Sequence, residues 1–265
     1  MRCIDLDLEI LIKKLAGKYF GHKLFYYSKT TSTNDKAFEL GIAGMPEGTA
    51  VIADSQSRGK GRYQRSWYSP PGANIYTSLI LRPQITPSEA SMIPIMTGVA
   101  VAEVLNFYCS DKISLKWPND VFINGKKVCG ILSQAKIQKE KIDFIVLGIG
   151  INVNIGYKRL SEEIRDSATS LAIENGRKIS RQDLVINLYE NLEKWYKKLQ
   201  QKRFGAIKRK WLKLSPMIGK IVQVKFTEEP IEGKATGLDD DGSLILLTEE
   251  NKEIKISAGD ATIME

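Results

Sequence analysis

Apolar residues fall at helical spacing near the start of the chain, at Leu8, Leu11, Ile12 and Leu15. The turn-forming group Gly21-His22-Lys23 then leads into a strand over residues 24–27. Ser32 or Thr33 can cap a helix running to Ile42, which Gly44 and Pro46 close. The β-branched run at 49–53 and the alternation at 74–81 predict strands, separated by a long polar loop over 55–72. A helix is predicted over 87–107, bent at Pro94, because a proline inside a helix lacks the amide that the ladder needs. Extended structure returns at 114–117. The pair Asn124-Gly125, flanked by residues 121–123 and 128–132, is what a two-residue hairpin selects, since both turn positions need positive φ. The nearly apolar stretch 143–153 reads as a strand buried on both faces, so one mixed sheet covered by helices follows.

Helical spacing resumes over 181–214, where Leu184, Leu188, Leu192, Trp195 and Leu199 share one apolar face. The nine Lys and Arg residues between Lys194 and Lys213 are read as its solvated side rather than as a nucleic-acid contact. Beyond Pro216, short strands at 221–226, 231–238, 243–247 and 253–256 are broken by Asp241-Gly242 and Glu250-Asn251, which predicts a small β-barrel or sandwich. The chain is therefore read as α+β, with a larger part over 1–215 and a smaller one over 216–265.

Charge sharpens that division. Of the net +8, residues 1–215 carry 34 basic against 20 acidic groups, and residues 216–265 carry 5 against 11. The larger part is thus expected to attract anions. No run approaches the roughly 18 consecutive apolar residues of a membrane helix, and acids stand where a signal peptide would be apolar. Cys3, Cys109 and Cys129 are far apart with no CxxC pair, which argues against a disulfide framework or a zinc site. A cytoplasmic protein without a membrane segment is expected.

The candidate chemistry starts from what is missing. His22 is the single histidine and sits beside a turn, so a nucleophile activated by histidine has little support. There is no P-loop, and Gly148-Ile149-Gly150 lacks the third glycine of a dinucleotide fingerprint, so its glycines are read as admitting something close to a strand. Asp239-Asp240-Asp241-Gly242 lacks the flanking ligands of a calcium loop and reads as a hairpin turn. The segment from Gln56 through Gly59, Lys60, Gly61 and Arg62 to Arg65 and Trp67 is different in kind. Its glycines let backbone wrap closely around a ligand while its cations neutralise one, and phosphate is the natural guest. The exposed indole needs something to cover it. A second cluster, Lys116-Trp117-Pro118-Asn119-Asp120, supplies acceptors at a strand entrance, where magnesium or a nucleobase edge could be held. On the strand that follows, strict alternation puts Lys127, Cys129 and Ile131 on one face and Val128, Gly130 and Leu132 on the other. Either Lys126 or Lys127 must then point inward, and an inward lysine needs an anion.

At these residues the sequence resembles the biotin protein ligases. The resemblance rests on Ser32-Thr33-Asn34, Gln56 with Gly59 to Arg62 and Trp67, residues 70–74, residues 116–120, Lys127 with residues 130–132, and residues 148–152. It implies an α/β catalytic domain with a small SH3-like C-terminal barrel. It also implies a two-step reaction, in which biotin and MgATP give biotinyl-5′-AMP and pyrophosphate, and a lysine of the biotin carboxyl carrier protein then takes the acyl group. By the same resemblance the catalytic residues are Lys127, Arg62 and Asp120. Ser32, Thr33, Asn34, Gln56, Gly59, Lys60, Gly61, Arg62, Lys127 and Gly130 would bind biotin. Trp67, Asn119, Lys127 and Asn152 would hold the adenylate, and Asp120 the magnesium or the incoming lysine; no cofactor is tightly bound. Lys60 stands where the family pattern often has Arg, and a lysine offers no bidentate fork. The family also implies a homodimer. The alternatives are a lipoate-type protein ligase and a bifunctional ligase and DNA-binding repressor; about thirty residues before Ser32 are too few for the winged helix-turn-helix of the latter, so no specific DNA partner is expected.

Overall fold

The computed structural model describes residues 6–109, 112–226 and 229–264; Cys3 lies outside them. Helix α1 (Leu8–Leu15), capped by the Asp7 side chain, precedes β1 (Leu24–Tyr27), α2 (Thr33–Ile42), β2 (Ala50–Ala53) and β3 (Ile75–Leu81). Then come α3 (Met92–Asn106), β4 (Ile113–Lys116), β5 (Asp120–Ile123), β6 (Lys126–Gln138) and β7 (Lys141–Ile151). These seven strands form one mixed sheet in the order β1-β2-β3-β7-β6-β5-β4, in which β1 and β2 are parallel and every other pair is antiparallel. The 123–126 turn has positive φ at Asn124 and Gly125, as the hairpin pair requires. A second tight turn, at Lys139 and Glu140, lengthens β6 and β7 beyond the predicted hairpin; its two non-glycine residues at positive φ gave no sequence signal.

The central strands decide where a site can be. β3 is buried along its whole length, and its residues alternate between two different environments. Ile75, Leu79 and Leu81 join the main core, under α3, α5 (Arg181–Gln200) and α6 (Phe204–Leu214). On the opposite face, Val51, Ile80, Phe144 and Val146 pack beneath Ala37 of α2, in a smaller second core. β7 shows the same division: Ile145, Leu147, Ile149 and Ile151 face the main core, while Phe144, Val146, Gly148 and Gly150 face the α2 side. Side-chain volume therefore falls to nothing along that face, and a trough opens beyond the end of α2.

The helix predicted over 87–107 divides at Met92. Residues Ser88–Ser91 form a 3-10 turn, and α3 begins after it, so Pro94 falls in the first α-turn. There a proline's missing amide costs no bond within the α-helix. The stretch Ser88–Asn106 has the length and hydropathy of a membrane span, but 67% of it is buried here, and α3 is apolar all round because the core surrounds it. On the basic face of α5 and α6, Lys194 and Lys210 pair with Glu103, and Lys198 lies 3.9 Å over the Trp195 ring.

A short helix, α4 (Leu171–Asn175), starts beside the end of β7, where the Leu171 and Ala172 amides donate to the Asn152 and Val153 carbonyls. After α6 the chain forms a five-stranded antiparallel sheet from β8 (Ile221–Lys225), β9 (Ile231–Leu238), β10 (Leu244–Leu247), β11 (Glu253–Ile256) and β12 (Asp260–Ile263), ordered β11-β10-β9-β8-β12. Four of these strands follow the sequence pattern. β12 was not predicted, because Ala261-Thr262-Ile263 is too short a run to announce itself. Residues 239–243 form the expected turn, in which the Asp239 amide donates to the Ser243 carbonyl. The turn docks on the larger sheet through its Gly242 carbonyl, which accepts from the Trp117 indole at 3.0 Å.

Candidate active site

The trough is floored by three glycines in adjoining strands. Ser78, Gly148 and Leu132 lie side by side across β3, β7 and β6, and Tyr76, Gly150 and Gly130 form the next row. A Cβ on Gly150 would lie 2.5 Å from Trp67 Nε1, and one on Gly130 would lie 2.8 Å from the same indole. One on Gly148 would collide with the Asn34 carboxamide. The glycines thus admit two side chains flat against the sheet, as the sequence suggested, and those side chains divide the trough into two ends.

At the α2 end, Ser32, Thr33 and Asn34 begin the helix and are buried. Gln56 Oε1 accepts from the Thr33 amide at 2.8 Å and from its hydroxyl at 3.2 Å, while Gln56 Nε2 donates to Ser69 Oγ. The Ser78 hydroxyl lies 2.8 Å from Thr33 Oγ1 and 2.7 Å from Asn34 Oδ1, and Asn34 Nδ2 donates to Gln134. Such a network holds each polar group in one orientation. Tyr76 adds a wall; its hydroxyl donates to the Pro70 carbonyl, and burial pushes its phenol pKa up, so it remains a neutral donor.

At the other end, the Trp67 indole covers Gly130 and Gly150, and Lys127 Nζ stands 5.6 Å from its ring centroid. Trp67 Nε1 is buried and has no acceptor among the described residues. Asn119 donates to the Ile131 carbonyl, and Asn152 Oδ1 accepts from Asn74, so both amides are oriented by backbone or by a buried neighbour. Lys127 Nζ is 2.7 Å from Asp120 Oδ1.

The way Lys127 reaches the trough corrects the strand reading. The β5–β6 register runs Val121↔Cys129 and then Phe122↔Lys127, so β6 carries one extra residue there. This bulge resets the alternation: Val128, Cys129 and Ile131 all enter the core, and Lys127 joins the side of Gly130 instead of that of Cys129. The Lys127 amide and carbonyl pair with Ser167 and Thr169 on a neighbouring segment, which fixes the bulge. Burial, with the Asp120 charge, pushes the Cys129 thiol pKa up, so it is no nucleophile.

The predicted residues come together, with two qualifications. Ser32, Thr33, Asn34, Gln56, Lys60, Gly61, Arg62, Trp67, Asn119, Asp120, Lys127, Gly130 and Asn152 all line one pocket of about 190 Å³. Gly59 stands behind its wall, packed against the Trp67 carbonyl and Ser69. Lys60 lines the mouth, but its ammonium is paired with Asp35 of α2. His22 is at a surface turn, held by the Tyr19 carbonyl.

The sequence reading missed Tyr76, Ser78, Gln134 and Asp260. Asp260, on β12, reaches the pocket from the C-terminal sheet; its Oδ1 is 2.8 Å from Arg62 and its Oδ2 is 2.7 Å from Arg65. Lys60, Arg62, Arg65 and Lys127 thus face two lining carboxylates, Asp120 and Asp260, which leaves the pocket net positive. An elongated ligand with a polar head, a central anion and a second polar or aromatic end fits this arrangement. Among the described residues no three His, Cys, Asp or Glu side chains cluster as metal ligands.

Residues 25–152 match the biotin/lipoate A/B protein ligase family, and residues 217–263 match the biotin protein ligase C terminal domain. The bifunctional ligase/repressor BirA of Bacillus subtilis is 36% identical over 236 residues, covering 89% of this chain and 73% of that protein. A biotin–[acetyl-CoA-carboxylase] ligase of Paracoccus denitrificans is 30% identical, covering 83% of this chain and 92% of that one. Among solved structures, the biotin protein ligase from Aquifex aeolicus in complex with biotin and ATP superposes with a TM-score of 0.74 at 31% identity. It covers 92% of this chain and 99% of its own.

Proposed function

The chain belongs to the biotin/lipoate A/B protein ligase family, and we infer on that footing that it is an ATP-dependent biotin protein ligase. In the first step a biotin carboxylate oxygen attacks the α-phosphorus of ATP and pyrophosphate leaves, giving biotinyl-5′-AMP. In the second, the amine of a lysine on a biotin carboxyl carrier protein attacks the acyl carbon and AMP leaves. The observation that carries this reading is Lys127, beside Gly130 and the Trp67 ring inside a net positive pocket.

The chemistry explains that placement. A carboxylate and a triphosphate repel each other, so they meet only where cations neutralise both and hold them in line. Lys127 would touch the biotin carboxylate and the α-phosphate, and Arg62 would clamp the phosphate. Thr33, Asn34 and Gln56 would take the polar head of biotin. Trp67, Asn119 and Asn152 would hold the adenine, with the unpaired Trp67 Nε1 a donor for the nucleotide. Magnesium would arrive with ATP, since one or two carboxylates and the substrate phosphates suffice to hold it; Asp120 is the protein ligand we assign.

ATP–pyrophosphate exchange over a panel of carboxylic acids tests the reading. Biotin should support exchange, and Lys127→Ala should lower it by about 10²- to 10³-fold. Exchange supported by lipoate and not by biotin would overturn it, as would parental exchange in Lys127→Ala.

A further inference from the structure

We propose that Asp260, carried by the C-terminal sheet, is a positioning residue for adenylation: it fixes the 3-10 turn Arg62–Gln64 and thereby aims Arg62 into the pocket. The proposal rests on the ligase reading above. Its motive is a paradox of charge, since a carboxylate lining a site for an acid and a triphosphate opposes the binding of both. Such a group has a use only through what it holds.

What it holds is a turn that cannot easily hold itself. Tyr63 and Gln64 have φ of 52° and 60°, the left-handed region that L side chains avoid. Locally the turn is closed by the Gly61 amide on the Arg65 carbonyl and the Arg65 amide on the Arg62 carbonyl. The two arginines at its ends converge on one carboxylate, with Oδ1 on Arg62 and Oδ2 on Arg65, so Asp260 closes the turn a second time from outside. Arg62 is only partly exposed, and its guanidinium also donates to Asn119 Oδ1 at 3.3 Å and to the Tyr63 hydroxyl at 2.8 Å. Without Asp260 the weak Asn119 contact alone would tie that guanidinium to the sheet. The geometry gives the C-terminal sheet a direct part in the first chemical step, through a residue that need not touch substrate.

The test uses the full chain. In biotin-dependent ATP–pyrophosphate exchange, Asp260→Asn should lower kcat by about 10- to 100-fold, because misaimed groups cost that much. Biotin affinity by calorimetry should stay unchanged, and Asp260→Glu should recover most of kcat. In the background of Arg62→Ala, Asp260→Asn should cost nothing more, since the residue acts through Arg62. A parental kcat with a lower KM for ATP would make Asp260 a mere competitor of phosphate and overturn the proposal; so would additive losses in the double variant. Should Asp260→Asn not fold, Arg65→Gln removes half of the clamp from its exposed side, and a parental kcat there overturns the proposal equally. The two readings fail separately: parental exchange in Arg62→Ala sinks the assignment of the site, whereas an impaired Arg62→Ala beside a parental Asp260→Asn sinks only the role of Asp260.

Discussion

The ammonium of Lys127 lies 2.7 Å from Oδ1 of Asp120, across a bulge that turns the lysine out of the core face of its own strand. The two side chains are 33% and 20% exposed and Asp120 Oδ1 itself is buried, so the pair is partly desolvated. Its expected role is to keep Lys127 over the trough. Asp120→Ala should therefore lower kcat for ATP–pyrophosphate exchange by about tenfold while the melting temperature moves by only a few degrees. A large loss of stability with unchanged kcat would make the pair structural instead.

Two glycines of β7 separate the ends of the pocket. Gly148 lies under Asn34 and Gly150 under Trp67, two residues apart on the same face. Gly148→Ala displaces the carboxamide and should raise KM for biotin by about tenfold with little change in KM for ATP. Gly150→Ala lifts the indole and should do the reverse, with a change in tryptophan emission. Equal effects on both substrates from either substitution would show that the trough does not divide the ligand as described.

Trp117 ties the two sheets together. Its indole is buried, donates to the Gly242 carbonyl at 3.0 Å, and its own amide donates to Met217 Sδ at 3.4 Å. Trp117→Phe keeps most of the packing but strips the Gly242 carbonyl of its donor, at a cost of about 1–3 kcal/mol. Urea unfolding should show this loss in one cooperative transition, since the buried core is continuous from the larger sheet into the smaller. Two separated transitions would contradict that continuity.

The sequence was most legible where chemistry and local geometry coincide. Glycine, tight turns and clustered cations leave local signals, so the 56–67 loop, the Asn124-Gly125 turn and the glycines of β7 were read in place. Two kinds of information were not local. The bulge at Lys127 depends on backbone pairing with residues 167–169, and no alternation pattern reports a partner forty residues away. Asp260 begins a strand too short to recognise, and its place beside Arg62 exists only after the C-terminal sheet has docked. The start of α3 is a third case, since what Pro94 does depends on which residue begins the helix.

Tyrosines in the core make stability depend on pH. Tyr189 and Tyr196 on α5 are each 1% exposed. Burial pushes both phenol pKa values up; the Glu47 carboxylate, which accepts from the Tyr196 hydroxyl, raises the second further, and Thr77 lies against the first. In the folded protein these groups keep their protons well above the ordinary value of about 10, at which the unfolded chain releases them. Their contribution to stability is thus complete below about pH 10 and is lost as pH rises from there toward the folded values, by up to about 1.4 kcal/mol per pH unit for each tyrosine. Urea midpoints measured from about pH 8 to about pH 11 should be level and then fall. Tyr196→Phe should be less stable at neutral pH, having lost its bond to Glu47, yet should fall less steeply in the alkaline range. An alkaline slope identical to that of the parent would mean that Tyr196 ionises as readily folded as unfolded, and that its burial beside Glu47 has no electrostatic consequence.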